Sequence, residues 1–196
     1  MPKIVDHRTR REEILHATRR VIVRDGIDST TIRQIAKEAE CSAGALAHYF
    51  RDKSEILALV HRGAFSDVAE RAERRNAGVT GVEALRNALY EALPLDEHRR
   101  EEALLDANLW TAAGNDPALR AVRHQSVVNA RPWWTRMLNE GRVSGEITTE
   151  CSNAILCDRI MALIDGASVA MLLYADDLDA ARIAAMADAF IADISR

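Results

Sequence analysis

TIRQIAKEAECSAGALAHYFRDK, residues 31 to 53, reads as two short helices on either side of a tight turn. Ile32, Ile35, Ala36 and Ala39 fall at i, i+3, i+4 and i+7, which places them on one buried face. Thr31 precedes them and Gln34 follows it by three, the spacing of a capping box in which two orphan backbone N–H groups are satisfied reciprocally. The first helix is therefore expected over Ile32 to Ala39. Glu40, Cys41 and Ser42 supply the turn, and Ser42 caps a second helix expected to reach about Tyr49. Leu46 and Phe50 lie one turn apart on its inner side, while Gly44, Ala45 and Ala47 leave the other side thin. A thin face lets a helix backbone approach a groove closely, and Ser42, His48 and Tyr49 bring hydrogen-bonding groups beside it. Two helices around such a turn are the arrangement that seats the second one in the major groove of DNA.

Outward from this stretch the pattern stays helical. Before it, Ile14, Leu15, Thr18, Val21 and Ile22 form a stripe on a helix from about Arg8 to Arg24, stopped by Gly26. After it, Arg51 and Asp52 make a short link. A longer helix then starts near Lys53, with Ile56, Leu57 and Val60 turned inward, and continues to about Arg75.

Residues 9 to 57 resemble the DNA-binding domain of the TetR family of bacterial regulators. T-I-R-Q-I-A, S-A-G-A-L, H-Y-F and K-S-E-I-L carry the match at fixed spacing. The H-Y-F ending is similar to the BetI-like, choline-responsive branch, where Y-H-F is commoner in the family at large. The family often has Gly in the turn, and this chain has Glu40 and Cys41 there. A side chain at a position needing positive φ is strained, so a slightly altered turn is expected, with the motif kept. The resemblance implies an all-α fold of about nine helices. Residues 1–53 would form a three-helix helix-turn-helix head, and residues 54–196 a ligand-binding and dimerisation bundle. It implies a sequence-specific transcriptional regulator, a repressor released by a small molecule, with activation left open by the residues themselves.

Composition agrees with this class. Of 196 residues, 48% are hydrophobic and only 5% aromatic, and four prolines and nine glycines leave long stretches free for helix. The net charge of −4 divides unevenly: residues 1 to 62 carry twelve Lys or Arg against nine Asp or Glu, which leaves the excess acid in the rest. A mildly basic head on an acidic body is the expected picture, in which placement of charge matters more than its amount. No apolar run reaches membrane-spanning length. MPKIVDHRTRREE at the start is charged and unlike a secretory signal. Cys41, Cys151 and Cys157 are odd in number and match no zinc spacing, so reduced thiols in a cytoplasm are expected, with a redox role for Cys151 or Cys157 as an open alternative. No metal or cofactor is called for. GxSxG, HExxH, CxxC, P-loop and dinucleotide signatures are all missing from the chain, which argues against an enzyme. The acid pairs Glu101–Glu102 and Asp176–Asp177 are read as solvated charges on a helix face and in a turn.

In the head, Thr31 and Arg33, Tyr49, and Lys53 at the start of its helix are candidate phosphate contacts, Lys53 joining a charge to helix N–H groups. A solvated lysine beside Glu55 is its bland alternative. Ser42, Ala43, Gly44, Ala47 and His48 are the candidate base-reading face, the small residues meeting thymine methyls or sugar edges. Arg8, Arg10 and Arg11 stand open between an arm reaching a neighbouring groove and a solvated helix end.

In the body, helices are expected from Val82 to before Pro94 and from Glu97 to Ala113. A third follows from an Asp116–Pro117 start toward Asn139, with Pro132 interrupting or kinking it. Trp110, Trp133 and Trp134 lie within 25 residues, and Tyr90, Asn108, Arg123, His124 and Met137 are candidates to line the same space. Aromatic faces hold cations, so this group is the candidate effector site, and core filling is the alternative reading of the tryptophans. Two apolar helices close the chain, from about Thr149 to Tyr174 and after Asp179. Ile160, Leu163, Ile164, Ala167 and Met171 on one, with Ile183, Met186, Phe190 and Ile191 on the other, are the candidate homodimer surface. The expected partners are double-stranded DNA with a roughly palindromic operator, a small-molecule effector, and a second copy of the chain, with no membrane.

Overall fold

The computed structural model describes residues 7–27, 29–174 and 178–195. Among these lie nine helices and no strand, the all-helical class and number expected. They are α1 (His7–Asp25), α2 (Ile32–Glu38), α3 (Ala43–Ala47), α4 (Lys53–Arg75), α5 (Gly81–Ala92), α6 (Glu97–Asn115), α7 (Pro117–Val143), α8 (Asn153–Leu173) and α9 (Ala180–Ile194). The chain forms two compact units. One ends at Gly63 and takes in Asn108–Arg123; the other comprises Ala64–Ala107 and the residues from His124 onward. Asp176 and Asp177 lie outside the described residues.

In the first unit α2 packs against α1 and α3. The α1 stripe is Ile14, Ala17, Thr18, Val21 and Ile22, all buried. Ala17, not Leu15, belongs to it, because i, i+3, i+4, i+7 and i+8 from Ile14 pass through 17 and leave 15 at the edge, half-buried. Gly26 ends α1 with φ +79, its N–H bonded to the Ile22 carbonyl at 2.9 Å. Ile27, Ile35, Leu46, Phe50, Ile56, Leu57 and Val60, with Leu109 and Leu119, supply the remaining large apolar side chains of this small core.

The second unit is built on apolar volume. Leu85, Leu89 and Leu93 around α5, Trp134, Met137 and Leu138 of α7, Leu156 and Ile160 of α8, and Ile183, Phe190, Ile191 and Ile194 of α9 form one buried cluster. Helix α7 starts within the first unit, where Asp116 caps it by accepting the Ala118 N–H at 2.8 Å and Pro117 occupies the first turn, its missing N–H costing nothing. Pro132 does not break α7, which runs unbroken to Val143. Val128, four residues back, loses the helical N–H partner of its carbonyl to the proline ring and is 43% exposed. The eighth helix begins at Asn153, later than expected. The N–H groups of Thr148 and Thr149 are bonded to the Ile194 carbonyl, and Arg142 holds the Thr149 and Cys151 carbonyls, so this segment cannot wind into helix.

Candidate nucleic-acid interface

The capping box at α2 is formed. Gln34 N–H donates to Thr31 Oγ1 at 3.2 Å, and Thr31 N–H donates to Gln34 Oε1 at 2.8 Å. Ser42 caps α3 by accepting the Ala45 N–H at 3.0 Å. Alpha-helix ends at Ala47, before the expected Tyr49, because the His48 and Tyr49 N–H groups bond three residues back to Ala45 and Leu46. Leu46 anchors α3 from behind at 2% exposure, while Ser42, Ala43, Gly44, Ala47 and His48 are all exposed. The thin face expected from the sequence is therefore outward.

The turn between these helices is a Schellman motif. Cys41 N–H bonds the Ala36 carbonyl at 2.9 Å and Glu40 N–H bonds the Lys37 carbonyl at 3.2 Å. Glu40 sits at the left-handed position with φ +50, the one non-glycine residue with positive φ among those described. Glycine is the residue that adopts this geometry without penalty, so the Glu40 substitution alters the strain of the turn and leaves its hydrogen bonding intact.

The flanking candidates have mixed surroundings. Thr31 and Arg33 are exposed, and Arg33 meets no acidic partner among the described residues. Tyr49 is half-buried, its ring tilted against His7 with centroids 4.7 Å apart. Lys53 is neither a free lysine nor a partner of Glu55: its ammonium donates to the Ile27 carbonyl at 3.1 Å. That bond ties the start of α4 to the loop after α1 and leaves two of three ammonium protons for other acceptors. Asp52 and Glu55 cap the same helix end. Asp52 accepts the Glu55 N–H at 2.8 Å, and Glu55 accepts the Arg51 N–H at 2.8 Å. The backbone N–H of Glu55 and the Arg51 guanidinium hold the Asp52 carboxyl below its ordinary range.

Arg10 and Arg11 form neither an arm nor a solvated end. Arg10 donates to the Ala39 carbonyl at 2.8 Å and the Glu40 carbonyl at 3.4 Å. Arg11 donates to the Tyr49 carbonyl at 2.6 Å and stacks 4.6 Å from the Phe50 ring centroid. Arg8 lies near Glu12 at the exposed start of α1. Farther along α1, Arg20 and Arg24 donate to Glu38 at 2.8 and 2.9 Å, and those bonds hold the Glu38 carboxyl below its ordinary range. No spacing rule pairs residues 29 or more positions apart, so the sequence offered no signal for the Arg10 and Arg11 contacts.

The candidate effector residues do not fall in one unit. Asn108, Trp110 and Arg123 belong to the first, where the Arg123 guanidinium covers the Trp110 ring at 4.8 Å. Tyr90, His124, Trp133, Trp134 and Met137 belong to the second. There Trp134 and Met137 are core residues at 1% exposure, as the core-filling alternative has it. Trp133 packs edge-on against Trp134 and donates to Glu73 at 2.8 Å. Tyr90 donates its hydroxyl to Asp188 at 2.9 Å, and His124 is exposed. Glu102 departs from the solvated reading: Arg71 forks onto both its oxygens at 2.9 and 2.7 Å and also reaches Glu91 at 3.1 Å. Glu101 is exposed.

Of the candidate pairing residues, Ile160, Ala167, Ile183, Phe190 and Ile191 are buried within the single chain. Leu163, Ile164 and Met171 are half-buried, and Met186 is 41% exposed. Ile155 and Leu173 of α8 join Met186 as exposed large apolar side chains.

A capped, thin-faced helix held behind a short turn, ahead of a larger helical unit, defines a helix-turn-helix DNA-binding regulator. Residues 14–60 match the profile of bacterial regulatory proteins of the tetR family, and residues 81–196 match the BetI-type transcriptional repressor C-terminal domain. The chain belongs to the TetR family, in its BetI type. It is 29% identical to the HTH-type transcriptional regulator PksA of Bacillus subtilis over 180 residues, 88% of this chain and 83% of that one. It is 26% identical to the HTH-type transcriptional regulator BetI of Paraburkholderia phymatum, over 97% of this chain and 95% of the relative. In fold it is similar to a transcriptional regulator from Saccharomonospora viridis solved in complex with choline (TM-score 0.80, 22% identity, 92% of this chain and 94% of that one).

Proposed function

We propose that the chain acts as a homodimer whose two heads bind a roughly palindromic operator as a repressor, and that a small-molecule effector bound by the second unit releases it. The observation that carries the DNA reading is the outward face of α3: small side chains at Ala43, Gly44 and Ala47 beside the polar groups of Ser42 and His48. That face reads base edges mainly by close fit and methyl contact. Thr31, Arg33, Tyr49 and Lys53 contact phosphates around it, and supply the salt-dependent share of affinity. Two heads related by a two-fold axis require half-sites spaced by about 34 Å or a multiple of it.

The pairing surface in this reading is the outer side of α8 and α9, where Ile155, Leu173 and Met186 are exposed. The buried members of the candidate set act indirectly, by fixing the two helices against the core. Release requires an effector that prefers one of two body conformations, and α4, which begins in the first unit and ends in the second, is the element that carries the change. Choline is the ligand of the Saccharomonospora viridis protein. In this chain Arg123 already covers the Trp110 face, and Trp134 is enclosed in the core, so these two rings favour no cation cage.

Selection of bound fragments from genomic DNA, with the mass of the free protein measured in solution, tests the reading. A dimer that enriches fragments sharing an inverted repeat is the expected result. A monomer with no preference over random duplex overturns it. A thermal-shift screen of metabolites tests the effector half, since a ligand at 100 times its Kd adds about 2.7 kcal/mol.

A further inference from the structure

The left-handed position between α2 and α3 is filled by Glu40 at φ +50, where glycine would sit without strain. This turn leads directly into Ser42, the cap of α3, so its backbone angles set the direction in which α3 leaves. The last carbonyls of a helix lack intrahelical partners and attract a cation. Here a single cation takes one of them and the next carbonyl of the turn: one guanidinium nitrogen of Arg10 reaches the C-cap Ala39 carbonyl at 2.8 Å and the Glu40 carbonyl at 3.4 Å. Glu13, one turn along α1, bonds the other arm of the same guanidinium and holds it in place. The Arg10 side chain is 23% exposed, which strengthens these bonds relative to open water.

We propose that Arg10 is a positioning residue for operator recognition, which holds the non-glycine turn at Glu40 in the geometry that presents α3. It does so without touching DNA. The inference rests on the operator reading above, and it assigns a role distinct from that of the phosphate contacts. A phosphate contact lowers affinity for every duplex and reduces the salt dependence. A positioning residue lowers affinity for the operator relative to other duplexes and leaves the salt dependence alone.

The experiment uses the full chain and two duplexes: a fragment enriched by genomic selection and a random sequence of equal length. Both are titrated across salt with wild type, Arg10→Ala, Arg10→Lys and the Arg10→Ala/Glu40→Gly double variant. Arg10→Ala is expected to lower the ratio of the two affinities about tenfold, the loss typical of a hydrogen bond from a charged group, with an unchanged log–log salt slope. Glu40→Gly in the same chain is expected to restore most of the ratio, because glycine holds the turn unaided. Arg10→Lys is expected to fall between, since an ammonium lacks the fork that also engages Glu13. A slope reduced by about 0.9 would make Arg10 a phosphate contact and overturn the proposal. An unchanged ratio, or a loss not rescued by Glu40→Gly, overturns it equally. If Arg10→Ala does not fold, the same rescue is required of Arg10→Lys with and without Glu40→Gly. Failure of wild type to prefer the enriched fragment sinks the operator reading itself. Preference retained by Arg10→Ala sinks only the inference about Arg10.

Discussion

In the first unit four arginines of α1 reach polar partners on the elements that follow. Arg10 holds the end of α2, Arg11 the end of α3, and Arg20 and Arg24 the side of α2 through Glu38. In the second unit α5, α7, α8 and α9 meet through leucines, isoleucines, a tryptophan and a phenylalanine. Hydrogen bonds are directional and lose strength when an angle is wrong, whereas apolar burial depends mainly on area. A head that must offer α3 at one angle is therefore clamped at helix ends. The buried cluster of the body is joined mainly by contacts whose strength follows area, with Arg71 and Arg142 adding directional bonds at its edges.

The contrast is broken most severely in the body. Trp134→Ala removes a fully enclosed side chain and is expected to cost about 3–5 kcal/mol, read by urea or thermal denaturation. A loss under about 1 kcal/mol would mean that the second unit is not organised around this cluster. In the head the test is charge. Arg33→Ala is expected to reduce the log–log salt slope of DNA binding by about 0.9 with the melting temperature unchanged. Lys53→Ala should lower the slope similarly and also the melting temperature, because its ammonium holds the Ile27 carbonyl. An unchanged slope for both would remove them from the phosphate contacts.

Smaller effects sharpen the same comparison. Ser42→Ala deletes the α3 cap and is expected to destabilise the head by about 1 kcal/mol. Glu40→Gly should do the opposite, by about 0.5–1 kcal/mol, since it relieves the left-handed turn. Acid comes last. Asp52 and Glu38 have carboxyl groups held below their ordinary values by the bonds they accept. Groups depressed in the folded state stabilise it above their unfolded values, which lie near 3.8 and 4.5, and that contribution disappears as pH falls through the lower folded values. Amide protection factors in α2 and at the start of α4 should therefore fall below about pH 4. Constant protection down to pH 2 would show that these caps contribute little.

Local rules carried far in this chain because helix signals are local. Capping spacing at Thr31–Gln34, the Ser42 cap, the glycine stop at Gly26 and the Asp116–Pro117 start each depend on residues within a turn of one another. Each is present in the structure. The thin outward face of α3 was readable for the same reason: its thinness follows from residue size at helical spacing. Errors came where a long-range partner competed. Thr148 and Thr149 gave their N–H groups to Ile194, so the eighth helix starts late. Glu102 looked solvated until Arg71 enclosed it.

From its residues alone the chain determined nine helical segments, a capped and slender α3, and a family, because periodicity, cap chemistry and side-chain size act over three or four positions. Tertiary structure decided what the charges do. It turned Arg10 and Arg11 into clamps, gave Lys53 a carbonyl partner, and sent Trp134 to the core. Those outcomes depend on which distant backbone groups come within 3.5 Å, and only packing sets that distance.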